Sequence, residues 1–397
     1  MDQLRNGRPV RKHRLGFPCC RKAYSVLVFF VTCVLGGTLT QRSPEGQDVF
    51  SEHFPRLDWQ PTRAPEAAEY AGKVSCGQCH AKEAATYHST PMARALELAS
   101  ESRILKSHLS LKFQSGPYTF KVQRLGHELV YAVSDNQATI SEPVQWVFGS
   151  GEAGQTFLIQ HQGAYYESRV SLFSDIEKLD FTLGHPRTVP DSLLDALGQE
   201  LSPDKVLACF ACHSTASVSG TKLQLDRLVP GITCEGCHGP GGRHVRAALA
   251  GKVEEIPMFN PGKLSEEDQL DYCGSCHRSY LQVELMGLRG VKNVRFQPYR
   301  LANSTCFKTE DSRISCSACH NPHEARQRHS AFYDSRCIAC HSKRQVDPAG
   351  PSTVSICPTG KAQCTVCHMP KYKLPGGHFE FTDHQIRIVR SNSDYPN

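Results

Sequence analysis

Between residues 112 and 170, apolar positions gather in short runs. The runs are Tyr118-Thr-Phe-Lys-Val, Leu129-Val-Tyr-Ala-Val, Gln145-Trp-Val-Phe, Thr156-Phe-Leu-Ile-Gln and Ala164-Tyr-Tyr-Glu-Ser-Arg-Val, set apart by Gly, Asn and Asp. They are rich in β-branched and aromatic residues and predict a small antiparallel β insert. The flanking pattern is different. Residues 81–98 read as a helix interrupted near Pro91. Residues 181–201 read as a loop and a short helix, and residues 265–286 as one longer helix. From residue 203 onward, loops and short helices are predicted, ending in a polar tail that is expected to be loose after His384. At the other end, residues 1–22 are polar and basic, and residues 23–39 (AYSVLVFFVTCVLGGTL) carry no charge. These two form an n-region and an h-region, expected as an uncleaved transmembrane anchor or a cleaved signal peptide, with the positive side in the cytoplasm. Residues 40–72, rich in Pro, Glu, Arg and Ala, read as a linker.

Cysteine changes the picture. Fourteen of the 19 cysteines fall in seven copies of C-x-x-C-H. The copies are Cys76, Cys79, His80; Cys209, Cys212, His213; Cys234, Cys237, His238; Cys273, Cys276, His277; Cys316, Cys319, His320; Cys337, Cys340, His341; and Cys364, Cys367, His368. This pattern attaches haem c: the two thiols add across the vinyl groups and the adjacent histidine reaches the iron. Zinc ribbons pair two C-x-x-C units and do not need a histidine after each. Seven covalent haems are therefore expected, with those seven histidines as proximal ligands. First cysteines of the last six motifs follow at intervals of 25, 39, 43, 21 and 27 residues, too irregular for a solenoid. Six sites share residues 209–368, which is too little chain for a conventional core around each. The fold class expected is thus mainly α and irregular, a multihaem cytochrome c fold with the β insert. Residues 73–202 hold the first site and the insert, residues 203–390 form a hexahaem region, and residues 391–397 are the tail. Cys306 and Cys357 read equally as a disulfide or as two thiols.

The formal charge of +6 describes the chain without cofactor. Haem propionates are anionic, so the basic residues are expected to pair with them, and no nucleic-acid partner is implied.

Second axial ligands decide what such a protein does. Candidates are His244, in Cys234-Glu-Gly-Cys-His-Gly-Pro-Gly-Gly-Arg-His, where the glycines let backbone pass close to a ring; His323 and His329, after the fifth motif; and His378 and His384, after the last. His88, His161 and His185 read equally as ligands or as surface histidines. Met92 reads as a sulfur ligand to the first haem or as packing.

Several of these stretches resemble one group of proteins. They are Gly231-Ile-Thr-Cys-Glu-Gly-Cys-His-Gly-Pro-Gly-Gly-Arg-His, Ser315-Cys-Ser-Ala-Cys-His-Asn-Pro-His, and Cys364-Thr-Val-Cys-His-Met-Pro with Phe381-Thr-Asp-His. All look like the multihaem cytochromes c that include the tetrahaem electron carrier of ammonia oxidisers and octahaem hydroxylamine oxidoreductase. The resemblance covers roughly residues 72–390. It implies that His244, His323 and His384 are distal ligands. Met92 stands where the class usually has a histidine. No C-x-x-C-K motif occurs, so the lysine-ligated active haem of pentahaem nitrite reductase has no counterpart.

Two functions follow as expectations. One is a periplasmic or membrane-surface electron carrier, between a quinol-side donor or another cytochrome and a further redox partner, tied to the cytoplasmic membrane by its N-terminal segment. The other is an oxidoreductase of a small nitrogen or sulfur compound, which needs one iron with an open sixth position.

Overall fold

Residues 118–134 form two strands that bury Tyr118, Phe120 and Val122 on one, and Leu129, Val130, Tyr131 and Val133 on the next. In the computed structural model these belong to a much larger sheet. The structure describes residues 68–397 apart from 109, 308–312, 342–356, 358–359, 361, 391–394 and 397. The apolar segment at residues 23–39 lies outside the described residues. Among the described residues, no helix is long and apolar enough to cross a membrane.

The sheet has ten strands: β1 Leu96–Leu98, β2 Ser110–Ser115, β3 Tyr118–Leu125, β4 Glu128–Ser134, β5 Thr139–Phe148, β6 Gly154–His161, β7 Ala164–Ser168, β8 Val170–Phe173, β9 Lys178–Phe181 and β10 Gly198–Glu200. The order is β10-β7-β6-β5-β4-β3-β2. In addition β1 pairs with β5, and β8 pairs with both β6 and β9. This overturns the expectation of a mainly α fold with a small insert: the antiparallel sheet is a principal layer of the molecule. The five predicted runs fall on β3 to β7. Three of the others leave no apolar run of their own, for physical reasons. β8 (Val-Ser-Leu-Phe) is buried at every position and shows no alternation. β1 and β10 have three residues each and exist only because β5 and β7 offer them an edge.

The register of β5 against β6 shifts between Val144 and Trp146, the mark of a bulge. Beyond it, Trp146 and Phe148 pack on Phe210 at ring-centroid distances of 5.8 and 5.4 Å. Phe210 lies in helix Pro203–His213, between Cys209 and Cys212, and is fully buried. Burial of such a side chain stabilises by about 1.5–3 kcal/mol. The sheet is thereby the platform for the second motif. Its own core, with Phe120, Tyr131, Phe157, Leu172 and Leu197, lies on other strand faces.

Three further expectations change. The helix predicted over residues 81–98 is helix Ala81–Tyr87, a turn at Met92–Arg94, and then β1. The helix predicted over residues 265–286 is two helices, Glu266–His277 and Tyr280–Leu285, separated by Arg278 at φ +69°. At the C-terminal end, the described residues 395 and 396 are docked: Pro396 accepts a hydrogen bond from Arg300 at 3.1 Å, and the Tyr395 ring lies 4.6 Å from that guanidinium.

Gly231 joins the Met92 turn to the third motif. It has φ +74°, a Cβ there would lie 2.1 Å from the Ala93 carbonyl oxygen, and the next amide, Ile232, donates to Met92 at 2.9 Å. Gly231→Ala is expected to destabilise by more than about 1 kcal/mol. Unchanged thermal unfolding of that variant would contradict this account of the joint.

Candidate haem sites

All seven C-x-x-C-H motifs lie in or at the end of a helix: Gly72–Cys79, Pro203–His213, Cys234–His238, Glu266–His277, Cys316–Cys319, Ser330–His341 and Cys364–His368. The helical period brings residues three and four apart onto one face. Each motif therefore presents two thiols and an imidazole together. Among the described residues no cluster of three or more His, Cys, Asp or Glu is placed to hold a bare metal ion.

The motifs are neighbours of one another in an order that the sequence does not follow. The Cys76 thiol meets that of Cys234. Cys273 contacts Cys316, and Cys276 contacts Cys212. Cys337 contacts Cys364. Cys237 lies near Cys273, and Cys319 near Cys337. The result is one continuous row: first, third, fourth, fifth, sixth and seventh motif, with the second branching from the fourth.

Two pairs of histidine rings stand out. His238 and His323 are 6.0 Å apart between centroids and within 6° of parallel. His320 and His384 are 6.2 Å apart at 35°. An imidazole nitrogen binds a transition metal at about 2 Å, which puts the ring centroid about 3 Å from the metal and the centroids of two trans rings about 6 Å apart. Both pairs fit a single iron between them.

Hydrogen bonds fix the tautomers. A carbonyl oxygen only accepts, so a ring nitrogen facing one is the protonated nitrogen. The Nδ1 atoms of His213, His238, His244, His368 and His384 donate to the carbonyls of Ala95, Phe259, Ile256, Arg387 and Thr382, at 2.8–3.0 Å. Each Nε2 then keeps its lone pair, the arrangement a metal-ligating histidine uses. Burial, with the His320 ring beside it, pushes His384 down to about 4, so it is neutral at physiological pH. Burial likewise lowers His213, His277, His320 and His323.

Other candidates are placed differently. His378 Nε2 donates to Asp180 at 2.7 Å and His185 Nε2 to Glu167 at 3.0 Å, so the ligating nitrogen of each is committed to a carboxylate. His161, at the end of β6, bonds Glu142 through Nδ1 at 2.6 Å. His88 and His329 are exposed. Met92 opens the turn that bonds Ile232, beside the first and third motifs. Of the glycines after His238, Gly242 serves a backbone contact: a Cβ there would lie 2.9 Å from the Glu69 carbonyl oxygen.

Sequence reasoning missed the side chains that hold these sites in place. Arg300, fully buried, donates to both oxygens of Asp383 at 2.8 and 3.0 Å, and Ser304 donates to the His384 carbonyl at 3.0 Å. His384 is thus clamped from both sides. Glu235, Gln269, Tyr272 and Asp334 tie motif helices to one another. The only signal was proximity: Glu235 lies within a motif, Gln269, Tyr272 and Asp334 within four residues before one, and Asp383 just before His384.

Little apolar side chain backs the later sites. Beyond residue 240 only Leu270, Val283, Val294, Phe296, Tyr299, Leu301 and Leu374 are buried hydrophobics among the described residues.

The family model described as cytochrome c554 and c-prime matches residues 193–239, which hold the second and third motifs. The multiheme cytochrome MtrA of Shewanella baltica (strain OS185) is 25% identical over 182 residues, or 43% of this chain and 47% of MtrA. The chain thus spans about half the length of that curated relative. The outer cell wall cytochrome OcwA is a solved structure with 14% identity and a TM-score of 0.44, covering 81% of this chain and 80% of that one. The matched segment is that of a c-type cytochrome and the relative is a multiheme cytochrome, which agrees with what the seven C-x-x-C-H motifs indicate.

Proposed function

We propose that this chain is a heptahaem cytochrome that carries electrons one at a time, exported to the periplasm. The observation that carries the reading is the unbroken row of neighbouring attachment thiols, which gives every motif at least one adjacent motif. Haem supplies a reversible one-electron couple. The chain's own residues would hold it: the fourteen thiols would attach it, the seven motif histidines would ligate iron, and His323 and His384 would be second ligands at the sites of His238 and His320. His244, with Nδ1 anchored and Nε2 available, is a further distal ligand. The sparse apolar core after residue 240 supports porphyrins as the core of that half. Redox partners are a quinol-side donor or other cytochromes, and membrane attachment rests on residues 23–39. Kinship with the class of the tetrahaem carrier and hydroxylamine oxidoreductase rests on the sequence motifs.

Haem content and electron paramagnetic resonance of the oxidised holoprotein test this. Seven haems per chain are expected, with low-spin signals. His323→Ala is expected to turn one low-spin signal high-spin while haem content stays at seven. A spectrum unchanged by that substitution would remove His323 from the ligand set, and fewer than seven haems would remove the heptahaem reading. A high-spin signal in the wild type that responds to nitrite, hydroxylamine or carbon monoxide would favour the oxidoreductase instead. Cell fractionation and intact mass test export and the fate of residues 23–39.

A further inference from the structure

Three buried side chains repeat one arrangement. Glu235, in the third motif, is 2% exposed. Its Oε1 accepts from the amides of Ala71 and Gly241 at 2.7 Å each, and its Oε2 from Gly72 at 2.9 Å. Ala71 and Gly72 open the helix that carries Cys76. Gln269 lies one turn before Cys273 in the fourth motif's helix. Its Oε1 accepts from the amide and hydroxyl of Ser317, at 3.0 and 2.9 Å, inside the fifth motif. Asp334 lies one turn before Cys337 in the sixth motif's helix. Its two oxygens accept from the amides of Gln363 and Cys364, at 2.8 Å each, where the seventh motif's helix begins.

We propose that Glu235, Gln269 and Asp334 are positioning residues that set the separation and tilt of neighbouring haem sites. Each acceptor belongs to one site and grips the first backbone amides of the next, which a helix start leaves unpaired. These are the joints at which thiols of two motifs touch: Cys76 with Cys234, Cys273 with Cys316, Cys337 with Cys364. Rate and coupling between two redox centres depend on distance and orientation, so a clasp at each joint acts on transfer itself and not only on stability. All three are more than nine-tenths buried, and removal of the acceptor leaves helix-start amides at that joint without their partner. The proposal rests on the heptahaem reading.

The test uses holoprotein with seven haems. Glu235→Ala is expected to weaken the magnetic interaction between the first and third haems and to shift their midpoint potentials, leaving the sixth and seventh unchanged. Asp334→Ala is expected to do the reverse. Amide hydrogen exchange at Ala71, Gly72 and Gly241 should accelerate in Glu235→Ala alone. Where an alanine variant fails to mature, Glu235→Gln and Asp334→Asn, which retain one acceptor oxygen, are read in the same way and should show the same local effect at smaller size. A lower melting temperature with couplings and potentials unchanged would overturn the proposal, as would changes spread over all seven sites. Wild type with fewer than seven haems would instead overturn the heptahaem reading.

Discussion

Arg300→Leu is expected to cost about 3–5 kcal/mol of stability and to disturb the site of His320. The guanidinium is fully buried and donates to both oxygens of Asp383, which is itself fully buried, and to Gln385 at 2.5 Å. Leucine fills part of the volume but leaves a carboxylate without its main partner. The loss should not stop at stability. Asp383 precedes His384, whose ring faces His320 at 6.2 Å, so the variant should also show an altered or high-spin signal from that site. The pH dependence has a definite sign. Burial alone would raise the Asp383 carboxyl. The hydrogen bonds and charge of Arg300 overcome this, joined by the Gln385 amide and Arg387, and hold it below the usual carboxylate range. A depressed folded value means that the pair's contribution is complete above the unfolded value of about 3.9 and is lost as pH falls through the lower folded one. Denaturant melts from pH 7 downward, on wild type, Arg300→Leu and Asp383→Asn, check both claims. A loss below about 0.5 kcal/mol for Arg300→Leu would show that the pair adds nothing.

The second large effect concerns haem supply. Chain made without haem attachment is expected to keep its ten-stranded sheet and lose the fold beyond about residue 203. The sheet has an apolar core of its own, nineteen buried residues in one cluster. Beyond residue 203 there are thirteen buried hydrophobics among the described residues, only seven of them beyond residue 240, far too few to offset the conformational entropy of ordering that length of chain. Cofactor binding and folding are then one event there, as for small metal-nucleated modules. Limited proteolysis should leave a resistant fragment spanning roughly residues 96–200, with β-type circular dichroism. Equal resistance of both halves would show that the later half folds unaided.

The two halves were legible to different degrees for one reason. Runs of β-branched and aromatic residues set apart by Gly, Asn and Asp mark strands locally, and β3 to β7 were found that way. Strands of three or four residues, some formed only against an existing edge, leave no such run, and β1, β8, β9 and β10 were missed. That omission, more than any misread helix, made the fold look mainly α. The clasps were missed because a glutamate, glutamine or aspartate near a motif reads as an ordinary surface residue until its acceptor is seen against another helix's amides.

Seven C-x-x-C-H motifs are a local matter. Their spacing is the helical period, so the proposed attachment points and proximal histidines were read from sequence alone. Which other histidine lies against which motif histidine is a long-range matter. His323 and His384 were named from their surroundings, but nothing local says that His323, from the loop after the fifth motif, lies against His238 of the third, or that His384 lies against His320. Nor does chain order give the row, in which the first motif adjoins the third and the second branches from the fourth. Those relations come from backbone that folds back between motifs and from buried hydrogen bonds that join residues far apart in the chain, and only the tertiary structure decided them.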